Sequence, residues 1–97
     1  MKSKIEDYGD KDGLNIREGV RFWKKNRRLH REDGPAIEYD SGTKLWYING
    51  QLHRLDGPAS EYCDGDKPEK IWYYKGNRVD VESQKEFEQW LKYKTFL

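Results

Sequence analysis

Apolar residues in this chain fall in short runs rich in aromatic and β-branched side chains, and each run is soon ended by Gly, Asn or Asp. Such runs, with alternate side chains on opposite faces, predict half-buried β-strands. The clearest is Lys44-Leu45-Trp46-Tyr47-Ile48, followed at once by Asn49-Gly50. Asn-Gly between β-rich runs predicts a type I′ hairpin turn, because both central positions need positive φ. Lys75-Gly76 is equivalent, whereas Asn26-Arg27 fits this turn less well and is expected to differ. Asp40-Ser41-Gly42 and Asp64-Gly65 predict three-residue loops with Gly in the left-handed region. The period then changes. Ser83-Gln84-Lys85-Glu86 has capping-box form, and Phe87, Trp90 and Leu91 make one apolar stripe, which together predict a helix over 82–94. A lone helix of that length is marginal in water, so it must dock on one face of the sheet or on its final edge strand.

The strands repeat. Arg21 to Gly42 and Lys44 to Gly65 align without a gap, Trp46 standing 23 positions after Trp23. Leu29-His30-Arg31 matches Leu52-His53-Arg54, and Asp33-Gly34-Pro35-Ala36 matches Asp56-Gly57-Pro58-Ala59. A degenerate half-unit precedes them, with Leu14, Ile16 and Gly19 under Ile37, Tyr39 and Gly42. A third unit follows an insertion near Lys67-Pro68, keeps Trp72, Tyr73 and Gly76, and replaces His-Arg with Val79-Asp80. Degenerate end units are what an array needs, since each has only one neighbour. The expectation is one domain over 1–97: a polar lead-in over 1–13, β-hairpin repeats over 14–80 and the closing helix. The fold class is mainly all-β, a meander of antiparallel hairpin repeats.

A three-residue loop pairs Glu38 with Lys44 and Ile37 with Leu45, and in the half-unit Asn15 with Arg21 and Leu14 with Phe22; like meets like each time. Two faces separate. Leu14, Ile16, Phe22, Ile37, Tyr39, Leu45, Tyr47, Leu52, Tyr62, Ile71 and Tyr73 form the expected core face. The other carries Trp23, Trp46 and Trp72, with Ala36 opposite Trp46, Ala59 opposite Trp72, His30 across from Trp23 and His53 across from Trp46. This Trp ladder is either a second small core beneath the helix or an exposed aromatic surface.

Composition narrows the function. Hydrophobic residues make up only 34% of the 97, but 14% are aromatic, and large rings offset a low apolar count. Charged residues reach 38% yet cancel to a net +1, which argues against disorder and against a strongly basic nucleic-acid protein. Lys24, Lys25, Arg27, Arg28 and Arg31 do crowd one segment, either as a solvated hairpin end or as a local nucleic-acid contact. With one cysteine, Cys63, no intramolecular disulfide or thiolate metal cluster is available. The charged N-terminal segment resembles no signal peptide, and no run is long enough to span a membrane, so a cytoplasmic setting is expected.

His30-Arg31-Glu32-Asp33-Gly34-Pro35-Ala36 and its copy at His53 invite a chemical reading. As structure, Asp bonds its following backbone amides, Gly takes φ > 0, Pro sets entry to the next strand and Ala leaves room for Trp. As a metal site it fails: each unit offers a His and an Asp, and a catalytic zinc takes three protein ligands. No nucleophile with a partnered base and no phosphate loop is apparent, so no catalysis, cofactor or metal is expected. Trp23, His30, Arg31, Trp46, His53, Arg54 and Trp72 are the candidate binding residues.

From Trp46 to Ala59 the chain reads W-Y-I-N-G-Q-L-H-R-L-D-G-P-A. That stretch resembles a family of short repeat proteins encoded largely by bacteriophages, with units like W-Y-x-N-G-x-x-H-R-x-D-G-P-A. It is more distantly similar to MORN and YwqK-type repeats, which share the aromatic-Tyr-x-x-Asn-Gly hairpin. The resemblance covers roughly Val20 to Arg78 and implies a meander of hairpins. MORN-like units serve as scaffolds and binding modules, YwqK-type proteins are described as antitoxins, and small phage proteins often disarm host defences by binding. MORN units lack the His-Arg-x-Asp-Gly-Pro-Ala stretch, so lipid binding is not carried over.

The resemblance and the lack of a catalytic grouping imply a phage accessory or anti-defence protein that binds and inhibits a host protein, a defence factor or toxin, in the host cytoplasm. Two other readings stay open: a sponge that stacks a small nucleotide signal on Trp, His and Arg, and a weak nucleic-acid-binding module. Short arrays with open edges also pair with their own copies, so a homodimer is among the expected states.

Overall fold

The computed structural model describes residues 11–63 and 65–96. Most of the expected lead-in, residues 1–10, therefore lies outside the described residues, as does Asp64. The strands are β1 (Gly13–Arg17), β2 (Val20–Lys25), β3 (Arg28–Leu29), β4 (Ile37–Tyr39), β5 (Lys44–Leu45), β6 (Tyr47–Ile48), β7 (Gln51–Leu52), β8 (Ser60–Cys63), β9 (Pro68–Tyr74) and β10 (Asn77–Val79), followed by helix α1 (Gln84–Phe96). Mainly antiparallel β-sheet with one C-terminal helix is thus the architecture. The principal sheet runs β1-β2-β4-β5-β8-β9-β10, β3 joins it on β2, and β6-β7 form a separate two-stranded piece. Among the described residues no helix is long and apolar enough to cross a membrane.

Turn chemistry explains the pairing. Asn49 and Gly50 have φ of 50° and 81°, and Lys75 and Gly76 of 49° and 84°, as the type I′ reading requires. Asn26-Arg27 was expected to differ and does not: φ is 51° and 68°, so Arg27 sits in the left-handed region without being Gly. The loop Asp40-Ser41-Gly42 closes with Gly42 at φ 101° and gives the expected pairs Ile37↔Leu45 and Glu38↔Lys44. Ser60 pairs with Ile71 and Cys63 with Pro68, so the insertion is taken up in the loop and leaves the register on either side intact.

The half-unit departs from expectation. Asn15 pairs with Phe22, Ile16 with Arg21 and Leu14 with Trp23, one residue away from the predicted register. Glu18 and Gly19 take φ of 49° and 82°, a two-residue turn where three residues were expected. Because side chains alternate along a strand, that single step moves Leu14 and Ile16 off the core face. They are 41% and 68% exposed.

With this register the second face resolves into two rows. One is a ladder of alternating charge, Arg21↔Glu38↔Lys44↔Glu61↔Lys70, each pair directly cross-strand. Arg21 donates to Glu38 Oε1 from Nη2 at 2.8 Å. The other alternates large and small: the Trp23 amide donates to the Ala36 carbonyl and the Trp46 amide to that of Ala59, with both alanines fully buried.

The helix settles which face is covered. Trp72, Val79 and Phe87 form the buried cluster, with Tyr74, Val81, Trp90 and Leu91 packed around it. Trp72 Nε1 donates to Gln84 Oε1 at 2.8 Å, and the Phe87 and Trp90 rings stack 5.9 Å apart. Ser83 is the N-cap: its Oγ accepts the Glu86 amide, while the Glu86 carboxylate accepts the Glu82 amide, one residue earlier than in the simplest capping box. The helix therefore lies on the Trp face, at Trp72. The expected core face is correspondingly open: only Phe22 and Ile37 of its members are buried, Tyr39, Leu45, Tyr47, Leu52, Ile71 and Tyr73 are half-buried, and Tyr62 is exposed. Burial of Tyr47 and the nearby Tyr39 and Tyr73 hold its phenol above the ordinary tyrosine range.

Candidate functional site

Beyond Trp23 and Trp46 the chain leaves the hairpin through His-Arg-x-Asp-Gly-Pro-Ala, and the structure assigns each residue a mechanical part. The Arg31 guanidinium lies over the Trp23 ring with Cζ 3.7 Å from its centroid, and Arg54 lies over Trp46 at 3.8 Å. Arg31 Nε donates to Asp33 Oδ1 and Arg54 Nε to Asp56 Oδ1, both at 3.0 Å. Nη1 of each donates to a proline carbonyl, Pro35 at 3.2 Å and Pro58 at 3.0 Å. The chain thus wraps around its own arginine. A Cβ on Gly34 would stand 2.9 Å from Arg31 Cζ, and one on Gly57 2.6 Å from Arg54 Cζ.

This corrects the expected reading of the motif. Gly34 and Gly57 are not among the glycines at positive φ; they are small because the guanidinium occupies the space. The aspartates bind the arginine two residues earlier, and the planar fork of Arg is what allows stacking and two directed bonds together.

The histidines link one unit to the next. His30 Nδ1 accepts the Asn49 amide and His53 Nδ1 accepts the Lys75 amide, each at 2.9 Å, so each ring holds the turn of the following hairpin. An amide donor at Nδ1 places the ring proton on Nε2. In the first unit Asp12 Oδ1 takes this part, accepting the Asn26 amide at 3.0 Å. Burial, and secondarily the Lys75 charge, hold His53 below the ordinary histidine pKa.

Trp23, His30, Arg31, Trp46, His53 and Arg54 are thus brought together in two copies. Trp72 stands apart: 5% exposed beneath the helix, it has Gln84 as polar partner where the third unit has Val79-Asp80 in place of His-Arg. The basic segment is likewise divided. Lys24 is buried, the neighbouring Lys25 points to the opposite face, and Arg31 lies on Trp23, leaving Lys25, Arg27 and Arg28 exposed. Cys63 is half-buried beside Thr43, whose Oγ1 accepts its amide. Among the described residues no group of three or more His, Cys, Asp or Glu is placed to hold a metal ion.

Between the two arginine stacks lies a groove of about 450 Å³, lined on one side by Arg31, Glu32, Asp33 and Gly34 and on the other by Trp46, Ile48, His53 and Arg54, with Leu55 and Asp56. Glu32 and Leu55 were not singled out from sequence. They occupy the one varying position within the aligned His-Arg-x-Asp-Gly-Pro-Ala copies, and that variation was the available signal. No protein-family model, curated protein or solved structure matches the chain.

Proposed function

We propose that this chain is a meander of MORN-like β-hairpin repeats that works without catalysis, by binding. In this reading it is a phage accessory protein that inhibits a host defence factor or toxin in the host cytoplasm by occupying part of its surface. The observation that carries the proposal is the groove between the arginine stacks. It has an apolar floor in Trp46 and Ile48, a half-exposed Leu55 at its rim, and walls held by bonded side chains. A groove rigid before its partner arrives loses little entropy on binding, which favours a protein surface as the occupant. Trp23 and Trp46 each have one ring face taken by a guanidinium, which leaves less ring free for a stacked nucleotide and supports protein binding over a nucleotide sponge. The test is affinity purification from host lysate at several salt concentrations. A stoichiometric partner whose activity falls on binding supports the proposal, and the absence of any partner at every salt concentration overturns it.

A further inference from the structure

We infer that the groove between the two arginine stacks takes a basic segment of its partner, an Arg or Lys flanked by apolar residues. This deepens the proposed binding function by assigning partner chemistry to one place.

The charges that line the groove are not equally available. Its cations are Arg31 and Arg54, whose side chains are 23% and 21% exposed. Each has one guanidinium face on a Trp ring and a glycine crowded close by, with Nε and Nη1 already bonded. Arg31 Nη1 also lies 3.7 Å from Glu38 Oε2, and Arg54 Nη1 3.5 Å from Glu61 Oε2, which offsets their charge further. The anions are Glu32, Asp33 and Asp56, whose side chains are 75%, 88% and 89% exposed. Each of these carboxylates already spends one oxygen inside the protein, Asp33 on Arg31, Asp56 on Arg54 and Glu32 on His30. A ligand entering from solvent therefore meets the outward oxygens of three exposed carboxylates, while both cations are turned inward.

The apolar part sets the rest of the ligand. Leu55 is 51% exposed, and Trp46 and Ile48 continue the surface below it. Gln84 Nε2 donates to the Leu55 carbonyl at 3.0 Å, so the helix start fixes this rim. Burial, and then the Lys75 charge, lower the His53 pKa, which reduces the positive charge it brings to the groove. An apolar floor under an anionic rim suits a long basic side chain, whose methylenes cover Leu55 and Ile48 while its head group reaches the carboxylates. Acidic or phosphorylated segments face repulsion from the same three groups.

The experiment is a titration of isotope-labelled protein, followed by amide chemical shifts, with three capped peptides: Leu-Arg-Arg-Leu, Leu-Glu-Glu-Leu and Leu-Gln-Gln-Leu. The expected result is saturable shifts at residues 31–34, Ile48 and 53–56 with the arginine peptide alone. Glu32→Gln with Asp56→Asn should weaken that binding roughly five-fold, as two exposed ion pairs would. The Asn retains an acceptor for Arg54 Nε, and an unchanged melting curve shows that the fold survives. Leu55→Ser offers a second variant, weakening the peptide through its apolar part with no change of charge. Equal binding of the three peptides, preference for the glutamate peptide, or shifts that avoid the groove each overturn the inference. Should the chain capture a host protein that still binds Glu32→Gln/Asp56→Asn at full strength, the groove assignment falls and the binding function stands. If the arginine peptide binds as described but no host protein is captured, the groove assignment stands and the inhibitor reading falls.

Discussion

Replacing Gly57 with Ala tests the central device of the fold. Gly57 is buried and its φ lies outside the left-handed region, so Ala can adopt its backbone conformation. Taken alone, Gly→Ala at such a position stabilises by about 0.4–1 kcal/mol through the unfolded chain. Here the new Cβ would lie 2.6 Å from Arg54 Cζ and 2.9 Å from both Nε and Nη1. Carbon contacts settle near about 3.5–4.0 Å, so the guanidinium must leave the Trp46 ring. That forfeits a cation–π contact of about 1 kcal/mol and a hydrogen bond to the Pro58 carbonyl of about the same size. The ion pair to the exposed Asp56 adds little. The net expectation is a loss of about 1.5 kcal/mol, or a melting point lower by roughly 6–12 °C for a domain of this size. In an Arg54→Ala background the obstacle is gone, and Gly57→Ala should reverse sign and stabilise by about 0.5 kcal/mol. Urea denaturation of the four proteins in this double-mutant cycle gives the coupling, expected near 2 kcal/mol. A neutral Gly57→Ala, or effects additive within about 0.5 kcal/mol, would refute the account of glycine as space for arginine.

Three further expectations rest on other parts of the molecule. The lowered pKa of His53 should make stability complete above the unfolded value of about 6.5, erode it as pH falls from there towards the folded pKa, and level off below. The difference between wild type and His53→Asn, which keeps an acceptor for the Lys75 amide, isolates this share; no change in that difference across the window would be the contrary result. Arg27→Gly should stabilise by about 0.5 kcal/mol, the relief of left-handed strain exceeding the entropic cost of glycine, and a lower denaturation midpoint would contradict the observed turn. Phe87→Ala should cost about 3 kcal/mol and shift Trp72 emission to longer wavelength, since Phe87 is fully buried against it; unchanged emission would place the helix elsewhere.

Local chemistry was sufficient for several elements whose partners are neighbours along the chain, though not for the turn at Asn26-Arg27 or for the Asp-Gly pair of the motif. The Asn-Gly and Lys-Gly turns, the pairing of Glu38 with Lys44, the helix cap at Ser83 and the stripe Phe87-Trp90-Leu91 all follow from residues within a few positions of one another. Identity between the aligned copies also extends to their contacts: in each copy Arg lies on the Trp ring, and His accepts an amide from the next hairpin. The failure at Leu14 and Ile16 has the same origin: one residue fewer in the turn at Glu18-Gly19 turns a strand over, and the composition of that turn fits two loop lengths.

Tertiary structure alone decided the rest. Whether a helix covers a face depends on contacts between segments far apart, such as Gln84 with Trp72 and with Leu55. The part played by Gly57 depends on where the end of a long, flexible Arg54 comes to rest, and no pattern of spacing fixes that. The histidines were candidate binding residues because each recurs beside a Trp and an Arg. Only the fold shows each bonded to a backbone amide 19 or 22 residues on, a distance at which sequence records the residue type but not its partner.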